Sequence, residues 1–203
     1  MKKNNDFINE TDIEEALKHF EEILKEQLKR CSKMRNSSET GKQNAGDDKG
    51  EITVGLIGGD GIGPVIMEET TKILNKLLSD EIADERIELK EISGLTLENR
   101  IAKGETVPDD VLKEMKKCDV ILKGPTTTPS GGEKNLESAN VFLRREFDLF
   151  ANVRPVKIET EDIDWTFFRE NTEGEYTLGS KGVRIGDKFS VDFKITTYEG
   201  TRR

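Results

Sequence analysis

With 203 residues, the chain is long enough to bury a core in one domain or in two. At 33% hydrophobic against 36% charged residues and a mean hydropathy of -0.66, part of it is predicted to lie outside any packed core. Forty-one acidic residues against thirty-two basic ones leave a net charge of -9, which argues against nucleic acid as the main partner, because phosphate binding needs basic surface.

Met1-Lys2-Lys3 leads into polar residues, and no apolar run approaches the ~18 residues of a membrane span. The expectation is a cytoplasmic chain without membrane contact. Ile13, Leu17, Phe20, Leu24 and Leu28 recur at steps of three and four, which predicts a helix over residues 11–30, capped by Thr11 or Asp12. Its apolar stripe is expected to dock on the body or on a second subunit. Residues 31–50 are rich in Ser, Asn, Gly and Asp, the composition of a solvated linker, so residues 1–50 read as a helical extension with a flexible linker. The apolar run at 52–57 predicts a strand, followed by a tight loop at 58–64 and a helix over 65–78 with Pro64 in its first turn. A strand over 85–92, a helix from Val107-Pro108-Asp109-Asp110 to about Lys117, a strand over 119–123 and a Gly/Pro/Thr loop over 124–132 come next. This alternation predicts a parallel α/β sheet over 51–147, with functional loops at the carboxyl ends of its strands. From 148 to 203 the pattern turns to strands at LFANVRPV and DWTFFRE and a hairpin around Gly186-Asp187, the start of a smaller α+β domain. The end at Thr201-Arg202-Arg203, directly after a strand, reads as a truncation. Cys31 and Cys118 lie far apart, with no Cys or His at ligand spacing, and are expected to be ordinary reduced thiols.

Gly59-Asp60-Gly61-Ile62-Gly63 invites a dinucleotide reading, but Pro64 stands where the G-x-G-x-x-G fingerprint needs its third glycine. Alone, the loop is equally a turn without ligand or a place where a cofactor approaches the backbone. The stretch from Lys123 to Gly132, followed by Ser138, Asn140 and Arg144, is more informative. Ser138 can cap a helix, Asn140 and Arg144 share one of its faces, and the free amides of that helix start favour an anion. Arg154 and Arg169 lie among apolar strand residues, where a permanently charged guanidinium calls for a carboxylate. Each arginine singly fits a structural salt bridge; the set fits a polyanionic small molecule.

GGDGIGP (58–64), KGPTTTP (123–129), SANVFLRREFDLFANVRPV (138–156) and FRENTEGEY (168–176) resemble the successive signatures of the isocitrate/isopropylmalate dehydrogenase family. The resemblance implies an isopropylmalate dehydrogenase-like α/β fold, here incomplete. It also implies oxidation of a 2-hydroxy acid by NAD or NADP, then loss of the β-carboxylate with the help of Mg²⁺ or Mn²⁺. Ser138, Asn140, Arg144, Arg154 and Arg169 resemble the isocitrate-binding residues, Tyr176 the catalytic tyrosine, and Thr127, with Lys123 and Ile62, the cofactor side. The polar pair Ser138 and Asn140 points to isocitrate, since facing an isopropyl group it would be left unsatisfied; isopropylmalate and homoisocitrate are the alternatives. A lysine, the metal-holding aspartates and the adenosine-gripping loops belong to the family's second half, so no protein metal ligand is assigned here. A homodimer is implied for the family. Three readings stand: an isocitrate dehydrogenase half that is inactive alone, a non-catalytic fragment binding tricarboxylates or a paralogue, and a non-functional truncated product.

Overall fold

The computed structural model describes residues 10–40, with side chains to 32, and residues 50–128, 136–175, 182–185 and 189–202. Helix α1 (Glu10–Thr40) comes first and runs ten residues past the predicted helix, through a segment expected as linker. The apolar period stops at Leu28, but residues 31–40 contain neither Gly nor Pro to break a helix, and Gly41 is the first to appear. Thr11 and Asp12 lie inside the first turn of this helix.

Contacts divide the chain into two units, residues 44–143 and residues 1–43 together with 144–203. The first is an α/β layer around strand β1 (Ile52–Ile57), which lies parallel to β2 (Ile87–Glu91) on one side and to β3 (Val120–Lys123) on the other. As the one strand flanked on both sides, β1 is the near-continuous apolar run, and its Leu56 and Ile57 are buried. Helix α2 (Gly63–Leu77) follows β1 with Pro64 at its start, and α3 (Ser79–Ala83) leads to β2. Helix α4 (Leu97–Lys103), which the sequence reading passes over, is fixed by local chemistry. The Thr96 hydroxyl accepts from the Asn99 amide at 3.3 Å, and Gly104 ends the helix in the left-handed region at φ 67°. Helix α5 (Asp109–Met115) precedes β3, and α6 (Ala139–Glu146) carries the boundary between units. Leu56, Ile57, Met67, Ile92, Leu95, Val107, Val111, Met115, Ala139 and Leu143 are this unit's buried apolar residues. Cys118, beside Gly55, has its thiol pushed up from the ordinary value by burial; it and Cys31 are free.

In the second unit, β4 (Ala151–Ile158) and β5 (Ile163–Glu170) form an antiparallel ribbon joined by a 3₁₀ turn at Glu159–Glu161. Strands β6 (Val183–Ile185) and β7 (Phe189–Val191) pair as the predicted hairpin, whose turn residues lie outside the described set. The last described element is α7 (Tyr198–Arg202), so the tail is helical and does not extend from a strand. Ala16 and Ile23 of α1 pack with Val183, Ile185, Phe193 and Ile195, and the Phe20 and Phe193 rings lie 4.8 Å apart. A two-stranded hairpin is marginal alone, and α1 covers its apolar face. The docked face shares only Phe20 with the predicted stripe: Ile13, Leu17, Leu24 and Leu28 stay 46–61% exposed.

Candidate active site

The two glycine loops of the α/β unit interlock. The Asp60 N–H donates to the Pro125 carbonyl at 2.7 Å. A Cβ on Gly59, where φ is 73°, would sit 2.0 Å from that same oxygen, and one on Gly124 would sit 2.1 Å from the Gly58 carbonyl. These glycines thus permit close approach of one backbone to another, while a Cβ on Gly61, in the same loop, would meet open space.

The interlocked loops hold a polar chain. The half-buried Lys123 ammonium donates to the Gly124 carbonyl at 2.7 Å and to the Thr126 hydroxyl at 3.3 Å, and that hydroxyl donates to Asn140 Oδ1 at 3.3 Å. Ser138 precedes α6, its carbonyl accepting from the Phe142 N–H at 3.0 Å, the position the capping reading assigns it. Lys123, Thr126 and Asn140 are thus brought together, with Ser138 two residues before Asn140 at the start of the same helix.

Thr127 is exposed, but its backbone is held on both sides. Its N–H donates to Asp60 Oδ2 at 2.7 Å, while Asp60 Oδ1 takes the Leu97 N–H at 2.7 Å. Its carbonyl accepts from Arg100 Nη1 at 2.8 Å. Arg100 is 0% exposed and reaches two further carbonyls, Thr106 through Nε at 2.7 Å and Glu137 through Nη2 at 3.0 Å. Burial lowers its pKa from the ordinary value and the nearby Asp60 opposes this, yet a guanidinium stays charged. Sequence reasoning missed Arg100 because it sits in the unpredicted α4; the cap Thr96 and the stop Gly104 were the available signal.

Ile62, also assigned to the cofactor side, stands 65% exposed immediately before α2. Asn140 and Arg144 are one turn apart on α6. In the other unit, Asn152 pairs with Arg169 and Arg154 with Phe167, so by the alternation of strands Arg154 and Arg169 share one face of the ribbon. Both are exposed, and Arg154 Nε donates to Asn152 Oδ1 at 2.9 Å. Apolar neighbours do not bury them, because this two-stranded ribbon is exposed on both faces. Tyr176 lies outside the described residues.

As for the implied groups, an exposed Thr127 hydroxyl on a pinned backbone fits a directed hydrogen bond to a carboxamide such as that of nicotinamide. Among the described residues, no three His, Cys, Asp or Glu side chains come together as a metal site, and a divalent-metal site does not fit them. No helix among them is long and apolar enough to cross a membrane.

The chain matches the family described as isocitrate/isopropylmalate dehydrogenase over residues 53–203. It is 41% identical to the mitochondrial isocitrate dehydrogenase [NAD] subunit 2 of Schizosaccharomyces pombe, over 63% of this chain and 33% of that protein. It is 40% identical to the isocitrate dehydrogenase [NADP] of Caldococcus noboribetus, over 62% and 30%. The homoisocitrate dehydrogenase of Methanocaldococcus jannaschii is 33% identical over 75% and 46%. Among solved structures, the TT0538 protein of Thermus thermophilus superposes with a TM-score of 0.52 at 30% identity, covering 76% of this chain and 31% of that one. The chain thus spans between 30% and 46% of the length of these relatives. With the match running from β1 through the interlocked loops and the exposed ribbon to the last residue, the chain belongs to the isocitrate/isopropylmalate dehydrogenase family.

Proposed function

We propose that the chain supplies the substrate-orienting part of an isocitrate dehydrogenase-type reaction, the NAD- or NADP-dependent oxidative decarboxylation of isocitrate to 2-oxoglutarate. The observation that carries this reading is the polar chain Lys123, Thr126, Asn140 beside Ser138. A third carboxylate, which isocitrate has and isopropylmalate lacks, offers such a set a hydrogen-bonding partner, whereas an isopropyl group offers none. Arg144, Arg154 and Arg169 are assigned to the remaining carboxylates, as bidentate partners that fix the substrate's orientation. Thr127, with Lys123 and Ile62, faces the nicotinamide side, and Tyr176 delivers the proton that replaces the lost carboxylate. Bound nicotinamide cofactor would accept the hydride from the substrate's secondary alcohol carbon. No step is assigned here to Mg²⁺ or Mn²⁺, whose ligands the described residues do not assemble. The reading carries with it a cytoplasmic setting without nucleic-acid or membrane contact, and a homodimer for the complete family member.

Calorimetric titration of the full chain with isocitrate and with 3-isopropylmalate tests it. Isocitrate should bind the more tightly, and Asn140→Leu should narrow the gap. Equal affinity for both ligands, or an isocitrate affinity untouched by Asn140→Leu, refutes the assignment.

A further inference from the structure

A buried guanidinium with no carboxylate bonded to it is an expensive choice for stability alone, because apolar residues of similar size usually serve a core as well or better. Arg100 is such a group, and its three partners are all main-chain carbonyls. What those carbonyls have in common is their place in the chain. One belongs to Thr127, assigned to the cofactor; another belongs to Glu137, the residue before Ser138, assigned to the substrate. The third, Thr106, lies in the connection between α4 and α5 and ties the fork to the body of the unit. A planar guanidinium presents its N–H groups in a fixed fork, so two carbonyls bonded to it are held at a fixed separation; a lysine ammonium offers no such geometry. On the opposite side of the Thr127 peptide, Asp60 fixes the N–H.

We propose that Arg100 is a positioning residue that sets the cofactor-side Thr127 and the substrate-side start of α6 in register with one another, with Asp60 completing the hold on Thr127. This rests on the assignment of Thr127 and Ser138 made above. Arg100 touches neither ligand; it acts through the two backbone segments it joins. Loosening it therefore displaces both binding residues together, whereas loosening Asp60 frees Thr127 and the first turn of α4 but leaves the bond from Arg100 to the Glu137 carbonyl in place.

The test uses the full chain in four forms: unaltered, Arg100→Lys, Asp60→Asn and Thr96→Ala. The last weakens the start of α4 without removing the guanidinium, and so controls for a general loss of helix stability. NADP⁺, NAD⁺ and isocitrate affinities are measured by calorimetry, and amide exchange of peptides 124–128 and 136–142 is followed without ligand. Arg100→Lys should weaken both nicotinamide cofactor and isocitrate by about tenfold or more, the change expected when a charge-assisted hydrogen bond is lost. Asp60→Asn should weaken the cofactor and spare isocitrate, and Thr96→Ala should bind both like the unaltered chain. Arg100→Lys binding with unchanged affinities, or Thr96→Ala losing as much, overturns the proposal. If the unaltered chain binds neither ligand, the proposed function fails by itself and exchange decides the clamp. Faster exchange in both peptides in Arg100→Lys, but not in Thr96→Ala, sustains it; equal exchange sinks it. Should Arg100→Lys not fold, Asp60→Asn decides by the same measurements: faster exchange at 124–128 alone, or selective cofactor loss, is required.

Discussion

Gly124 shows how little room the interlocked loops leave. A methyl group there would lie 2.1 Å from the Gly58 carbonyl oxygen; the oxygen belongs to backbone and the methyl carbon is fixed directly to it, so neither side can rotate away. Gly124→Ala should cost roughly 1–3 kcal/mol, as overpacking does, and lower the urea midpoint without changing the slope. An unchanged midpoint would show that the loops can part freely. Glu114 makes the complementary electrostatic case. The hydrogen bonds from Lys117 and then Lys90 hold its carboxyl down to about 2, well below the ordinary glutamate range near ~4.3. The depressed folded-state value means that the group adds stability above the unfolded pKa and loses it as pH falls toward 2. The thermal midpoint of Glu114→Gln should therefore lie below that of the unaltered chain above about pH 4.5, and the two should converge between there and pH 2. A gap that persists at pH 2 would mean that the carboxylate's charge is not what stabilises. At this scale the motif residues were legible, because Gly59 and Ser138 sit in loops, and Lys123 and Asn140 at the element ends beside them, whose composition announces them. Arg100 was not, since Thr96 and Gly104 mark the helix it sits in but not the Thr127 and Glu137 carbonyls it reaches, which come from distant segments.

At the scale of elements, the periods were legible and the faces were not. The strand at 52–57 and the parallel alternation follow from apolar runs and turn residues, and the structure reproduces them. Helix α1 shows where that reasoning stops. Of its five stripe residues only Phe20 meets the face that docks, which carries Ala16, Ile23 and Gln27, with Arg30 reaching the buried Glu173 at 3.2 Å. The buried Glu173 carboxylate needs a cation, which Arg30 supplies from this face. The pair Ile23→Ala and Leu24→Ala discriminates the two faces. The first, at 4% exposure, should lose about 2–5 kcal/mol; the second, at 47%, should stay within about 0.5 kcal/mol. Equal losses in urea unfolding would return the stripe to the interior. For the same reason, deleting residues 1–50 should lower the midpoint, although their composition alone suggests a dispensable extension.

At the scale of the whole molecule, the β4–β5 ribbon governs behaviour in solution. Strand alternation puts Val156, Ile158, Ile163, Trp165 and Phe167 on one face, the face that also carries Arg154 and Arg169. Trp165 is 58% and Phe167 53% exposed, and their rings meet edge to face at 6.1 Å. An apolar ribbon of this kind, with unpaired strand edges among the described residues, favours association. Each copy, however, carries a net charge of -9, so copies repel one another through solvent. The two effects differ in their response to salt: screening shortens the reach of the repulsion from about 30 Å at 0.01 M to about 8 Å at 0.15 M and leaves the apolar contact in place. The chain should therefore sediment heavier than its 22.9 kDa monomer, and more so as ionic strength rises. The single tryptophan, Trp165, reports on the same event, and its emission should shift to the blue as association buries it. Phe167→Glu places a charge on the apolar face and should return the chain to monomer, while Phe168→Glu, on the opposite face, should not. Association that weakens with salt would instead assign it to ion pairs, and a monomer at every ionic strength would mean that the exposed face is too small to hold two acidic chains together.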